Sequence, residues 1–200
     1  MTHSFFHTFG LRSLAAAGVL AASLTSVSAE TIDWKMVDDW DISYYPGSSG
    51  CQAFAVFDGQ TAFFIGFDAN DDELSLDVTI LDERWSSIMD GEDYPISVKF
   101  GDESPWTLGM SGTVVDNYSG LNLMIDISSD EAELFIDEFQ RENSMEWSFS
   151  GNQLGHYTLR GSRRAFNEAV ACQRAYIDTA DKKDDPFAGN NSGKSDPFSD

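Results

Sequence analysis

Apolar and polar residues alternate along most of the chain from Thr31 to Ile127, and Gly, Pro and Asp/Asn pairs break the pattern roughly every eight to twelve residues. Such interruptions exclude long helices here and predict short strands. Residues 52–57 and 61–67 flank Asp58-Gly59, a hairpin turn pair. Leu74, Leu76, Val78 and Ile80 alternate with Ser75, Asp77 and Thr79, which predicts a strand with one solvated face. Ile96, Val98 and Phe100 repeat the pattern, as do Leu121, Leu123, Ile125 and Ile127. Trp34 and Met36 followed by Trp40 and Ile42 predict a first, less regular strand or pair. The connections are too short for helical crossovers, so the sheet is expected to be antiparallel.

Two segments change period from two to three and four. Ser128 and Glu131 stand at capping-box spacing, Asp130, Glu131 and Glu133 suit the positive end of a helix dipole, and Ala132, Phe135 and Phe139 form one apolar face. That helix is predicted to run to about Arg141. Residues 145–149 and 157–159 then read as closing strands joined by a Gly-rich turn over 151–155. A second helix is predicted after Gly161 with Ser162 as its cap, placing Ala165, Ala169, Cys172 and Tyr176 on one side.

The first 29 residues set the compartment. Arg12 precedes an apolar run, and Val27, Ser28 and Ala29 supply a small-residue cleavage pattern, so residues 1–29 read as an export signal with the mature chain starting at Glu30. No transmembrane segment is expected after its removal. Export gives meaning to the only two cysteines, Cys51 and Cys172, which are expected to pair in an oxidising compartment. Closing a loop of about 120 residues contributes about 5 kcal/mol in the chain-entropy model, so the role is structural. Without a C-x-x-C pair, redox chemistry is not expected.

Residues 30–178 suffice for a single domain with a real core. Residues 179–200 lose hydrophobic periodicity and are expected to form a disordered acidic tail. Asp185-Pro186-Phe187 and Asp196-Pro197-Phe198 repeat within it; the repetition is read as compositional, with bivalent binding as the alternative. The formal charge of -22 argues against nucleic acid and anionic lipid, both of which would be repelled. It is read chiefly as a solubility device, whose self-repulsion salty surroundings would screen.

The search for catalytic chemistry mainly subtracts. His3 and His7 leave with the signal, so His156 is the mature chain's single imidazole, and its place beside Gly155 and Tyr157 reads as surface or packing rather than catalysis. No G-x-S-x-G, H-E-x-x-H or G-x-G-x-x-G occurs. Asp68, Asn70 and Asp72 match the opening of a calcium loop, but Glu73 and Thr79 stand where Gly and a bidentate Glu are needed, so a hairpin turn is expected and no metal site is assigned. Carboxylates are too numerous for a hydrolytic pair to be singled out.

Arg160, Arg163 and Arg164 are the candidate binding residues. Cations at a helix start oppose its dipole unless an anion sits among them. The domain's own carboxylates are the default source of that anion; an external carboxylate, phosphate or partner is the other. The run Leu159-Arg160-Gly161-Ser162, then Ala165 and Cys172, resembles the closing signature of small, mostly uncharacterised exported proteobacterial proteins. With Trp34, Cys51, Val98, Phe100 and Trp106, the layout is distantly similar to VasI-type periplasmic proteins associated with type VI secretion. What the resemblance implies is structural: Gly161-Ser162 as a cap, Ala165 as a packing position and Cys172 as a crosslink.

The expectation is therefore an α+β domain, an antiparallel sheet with two helices and one disulfide, periplasmic or secreted. It is expected to be a non-enzymatic exported envelope binding or accessory protein without a cofactor, its partner an envelope protein or small anion. The alternative is a secreted hydrolase using a carboxylate pair.

Overall fold

The computed structural model describes residues 30–58, 60–70, 74–115 and 118–183, with side chains described as far as 177. The expected signal, most of the expected tail with both Asp-Pro-Phe repeats, and Gly59 lie outside the described residues. Ten strands form one antiparallel sheet: β1 Ile32–Val37, β2 Trp40–Tyr45, β3 Gly50–Phe57, β4 Thr61–Asp68, β5 Ser75–Asp82, β6 Asp93–Phe100, β7 Trp106–Val115, β8 Tyr118–Asp126, β9 Ser144–Phe149 and β10 Asn152–Thr158. Two helices, α1 Asp130–Arg141 and α2 Ser162–Lys183, complete the α+β domain. The sheet order is β1-β2-β3-β4-β5-β8-β7-β6-β9-β10, and each neighbouring pair is antiparallel.

Alternation fixes the faces. Ala53 and Ala55, Phe63 and Ile65, Val78 and Ile80, Val98 and Phe100, Met145 and Trp147 all turn to one buried side. The sheet curls around that side until β10 stands opposite β3 and β4: Phe57 and Tyr157 stack with ring centroids 4.9 Å apart, and Phe63 meets Trp147 at 6.1 Å. Trp40 sits at the centre, in edge contact with Phe57, Phe63 and Phe139.

Helix α1 contributes Ala132, Phe135 and Phe139, as its periodicity predicts. Its cap is Ser129, whose side chain accepts the Ala132 N–H, and not Ser128, which instead turns to Asp126. The one-residue correction arises because Asp126 captures Ser128 first in an Asx turn. Helix α2 lies across β1–β4, and Cys172 is bonded to Cys51 with Cα atoms 5.9 Å apart across a separation of 121 residues. Beside this link the buried Gln173 accepts the Cys51 N–H at 2.7 Å and donates to Ser49 O at 3.2 Å, and Tyr176 stacks on Tyr44 at 3.8 Å. The helix continues to Lys183, past the boundary expected at 178.

Three further expectations are corrected. Strand β7 is absent from the hydrophobic pattern because Gly109, Ser111 and Gly112 dilute it; Gly112 is needed where Met89 O crosses the strand, and it exchanges hydrogen bonds with Gly91 and Glu92. The turn between β9 and β10 is Ser150-Gly151, both at positive φ, and residues 152–155 belong to β10 with a bulge between Gln153 and Gly155. Strand β5 is buried on both faces. Its polar side holds Asp77, whose carboxylate accepts from Gln52 at 2.6 Å, Asn122 at 2.7 Å and Thr79 at 2.8 Å.

Candidate functional site

The segment from Thr158 to Arg164 joins β10 to α2 and is fastened on both sides. Leu159 N–H donates to Asn143 O at 2.8 Å, and Trp40 Nε1 donates to Arg160 O at 3.0 Å. Gly161 adopts φ +84 where a side chain would strike Asp38 in the β1–β2 turn. Ser162 does not cap its helix with the hydroxyl; it is buried and donates to Phe139 O at 2.9 Å, tying α2 to α1.

The three candidate arginines separate here. Arg164 forms an ion pair with Asp38. Arg163 Nε donates to Gln140 O at 3.3 Å. Arg160 is exposed, and among the described residues its guanidinium meets neither a carboxylate nor another acceptor. The internal-pairing expectation therefore holds for Arg164, while Arg160 has no such partner.

Arg160 stands between two adjoining clefts. One, of about 550 Å³, runs between the end of α1 and the start of α2 and is lined by Arg160, Arg163 and Arg164 with Gln140, Glu142 and Ser162. The other, of about 660 Å³, lies between β3 and β10, with Asp39 and Asp58 on one wall, His156 and Arg160 on the other, and Phe57 and Tyr157 in its lining. Asn143 and Thr158 line both. No sequence signal identifies Asn143 or Asp39 as neighbours of Arg160, because the sheet's curl brings them together. His156 is exposed on β10 with Glu146 3.8 Å away, a surface position as expected.

A buried brace holds the seam below the second cleft. Thr61 donates to Asp82 at 2.7 Å and lies 3.4 Å from the Tyr157 hydroxyl, and Arg84 grips the same carboxylate through Nε at 2.7 Å and Nη2 at 2.6 Å. Burial alone would lift the Asp82 carboxyl, but the Arg84 and Thr61 hydrogen bonds hold it below the ordinary range. Asp77 shows the opposite balance: burial lifts it, against its three hydrogen bonds. The signs of their pH linkage are opposite. Asp82 contributes stability above its unfolded-state value that is lost as pH falls through the lower folded value. Asp77 contributes stability below its unfolded-state value that is lost as pH rises through the higher folded one. Urea titrations from acid to neutral pH should show the wild-type advantage over Asp82→Asn shrinking on acidification, and that over Asp77→Asn shrinking as pH rises.

Among the described residues no cluster of three His, Cys, Asp or Glu side chains could hold a metal. In the calcium-like segment Asp68 accepts the Asn70 N–H and Asn70 donates to Gly47 O, fastening two turns as a hairpin reading requires; 71–73 lie outside the described residues. No described helix is long and apolar enough to cross a membrane. No family model, curated protein or solved structure matches the chain.

Proposed function

We propose that this is a non-enzymatic exported binding or accessory protein of the cell envelope whose ligand is recognised through an anionic group at Arg160 and Arg163. The observation that carries this reading is the unpartnered Arg160 guanidinium at the junction of two clefts, in a chain with a formal charge of -22. Where acids so outnumber bases, a cation left without a carboxylate is available to an incoming one. Arg163 stands on the same cleft, and among the described residues its guanidinium forms no ion pair and donates to a backbone carbonyl. The disulfide fits an oxidising destination. The likeness in layout to VasI-type proteins suggests an envelope setting.

The hydrolase alternative gains little support. Asp77 is the one described carboxyl lifted above its ordinary range, and it lines neither cleft.

The test is a pair of variants. Arg160→Gln with Arg163→Gln should abolish salt-sensitive retention of envelope components by the immobilised mature protein, and leave the thermal midpoint within a few degrees of wild type. Arg164→Gln, which breaks an exposed pair at the rim of the same cleft, should lower stability by about 1 kcal/mol or less and weaken retention far less than the double change, because Asp38 already occupies the Arg164 guanidinium. Retention indifferent to the double change would reject the reading, as would turnover of glycan, ester or peptide substrates that depends on a carboxylate.

A further inference from the structure

The second cleft is bounded by two strand edges that, among the described residues, each have a neighbour on one side alone. Strand β2 pairs with β3 only from Gly50 to Phe54, so the last part of β3, Ala55 to Phe57, is paired on its β4 side and lacks a strand on the other. Among the described residues strand β10 ends the sheet and pairs with β9 alone. Both stretches, 55–57 and 156–158, line the cleft. The stacked Phe57 and Tyr157 rings span it on the inner side, so side chains, and not a backbone ladder, close the curled sheet here.

We propose that this gap receives an extended peptide segment of a partner protein as an added strand, with an acidic residue beside Arg160. The proposal deepens the anion-binding reading above and rests on it for the role of Arg160. Unpaired edges offer main-chain donors and acceptors to such a segment, and alternate side chains supply selectivity. Trp40, which precedes β3's partner residues on β2, reaches Arg160, while Phe57 reaches Tyr157; the walls β3 and β10 therefore run in opposite directions. An inserted strand would be antiparallel to one and parallel to the other. Its inward side chains would rest on Phe57 and Tyr157, which favours apolar residues at every second position.

Charge sets the polarity of the outward positions. Arg160 and His156 occupy the β10 wall, and Asp39 and Asp58 the opposite one. An acid is favoured against Arg160 and a base toward Asp58 at the far turn, whereas a uniformly acidic segment would meet repulsion from Asp39 and Asp58.

The probes are acetylated, amidated peptides about eight residues long, with alternating Val and Thr and either one Asp, one Lys, both or neither, spanning ~26 Å when extended. Fluorescence polarisation with the mature protein should show binding by the peptides containing Asp, strongest with both charges. Methylating alternate backbone nitrogens should weaken it about tenfold or more, because strand pairing needs those N–H groups. Thr158→Trp, a plug at an exposed residue of the cleft, should abolish it without lowering the thermal midpoint. Arg160→Gln should weaken it about tenfold and flatten its salt dependence.

Backbone-sensitive binding that ignores Arg160→Gln would sustain the added strand and remove the anion reading. Retention of inorganic phosphate or N-acetylaspartate through Arg160, with methylation and Thr158→Trp both silent, would overturn the added strand and leave the anion reading standing. Two other occupants would also overturn the proposal: a second copy, shown by dimerisation that Thr158→Trp abolishes, or residues 184–200, shown by peptide binding only after their deletion.

Discussion

Replacing Cys51 and Cys172 together with Ala should produce the largest loss of stability available from so small a change, about 5 kcal/mol by loop-closure entropy and less where the unfolded chain retains structure. That figure is comparable with the whole net stability of a typical domain. Loss of the crosslink removes the covalent tie between α2 and β3, leaving noncovalent ones that include the two Gln173 hydrogen bonds, the Tyr44–Tyr176 stack to β2 and the Phe67–Phe166 contact. Guanidinium unfolding of the oxidised, reduced and double-Ala proteins measures the effect. Equal midpoints for all three would show that the native contacts already restrict the chain as much as the bond does.

The second large effect is expected at Trp40. The side chain is 1% exposed, meets three phenylalanine rings and holds Arg160 O through its indole N–H. Trp40→Ala leaves a cavity at the centre of the core and should cost about 3–5 kcal/mol, lowering Tm by roughly 6–20 °C for a domain of this size. Trp40→Phe keeps most of the apolar surface but abandons the Arg160 carbonyl, and should cost about 1–2 kcal/mol. The contrast is informative for function, since the phenylalanine variant releases the segment bearing Arg160 while the core persists. Calorimetry on both variants, with ligand retention measured on the Phe variant, separates packing from positioning.

What could be read in the sequence was local or covalent. Asp58-Gly59 marks a hairpin because its flanks alternate, α1 shows itself through Ala132, Phe135 and Phe139, and two cysteines, once expected to pair, have one choice of partner. The polar face of β5 misled because alternation reports polarity and not exposure: Asp77 and Thr79 are covered only once Gln52 and Asn122 arrive from β3 and β8. Strand β7 was hidden by Gly109 and Gly112, of which Gly112 admits the backbone of Met89 where the preceding loop crosses. At the site, adjacency in sequence grouped Arg160, Arg163 and Arg164, and all three do line one cleft, but Arg160 precedes the helix while Arg163 and Arg164 are turned about 100° from each other on it, so their partners differ. Their division between Asp38, Gln140 and open cleft depends on elements more than a hundred residues earlier for one and on α1 for another, which no local pattern encodes.

The position of the crosslink also orders events during synthesis. A chain that emerges amino end first presents Cys51 while its partner is still 121 residues away, an interval of roughly 6–24 s at about 5–20 residues per second. Throughout that interval the thiol is solitary, able to form a mixed disulfide with a carrier or with another nascent chain but not the native bond. Native oxidation is possible only after β4 to β10 and the first half of α2 have followed. The bond thus records completion: a molecule that carries it has delivered nearly its entire described domain, and a chain truncated before Cys172 is left with a thiol that has no native partner.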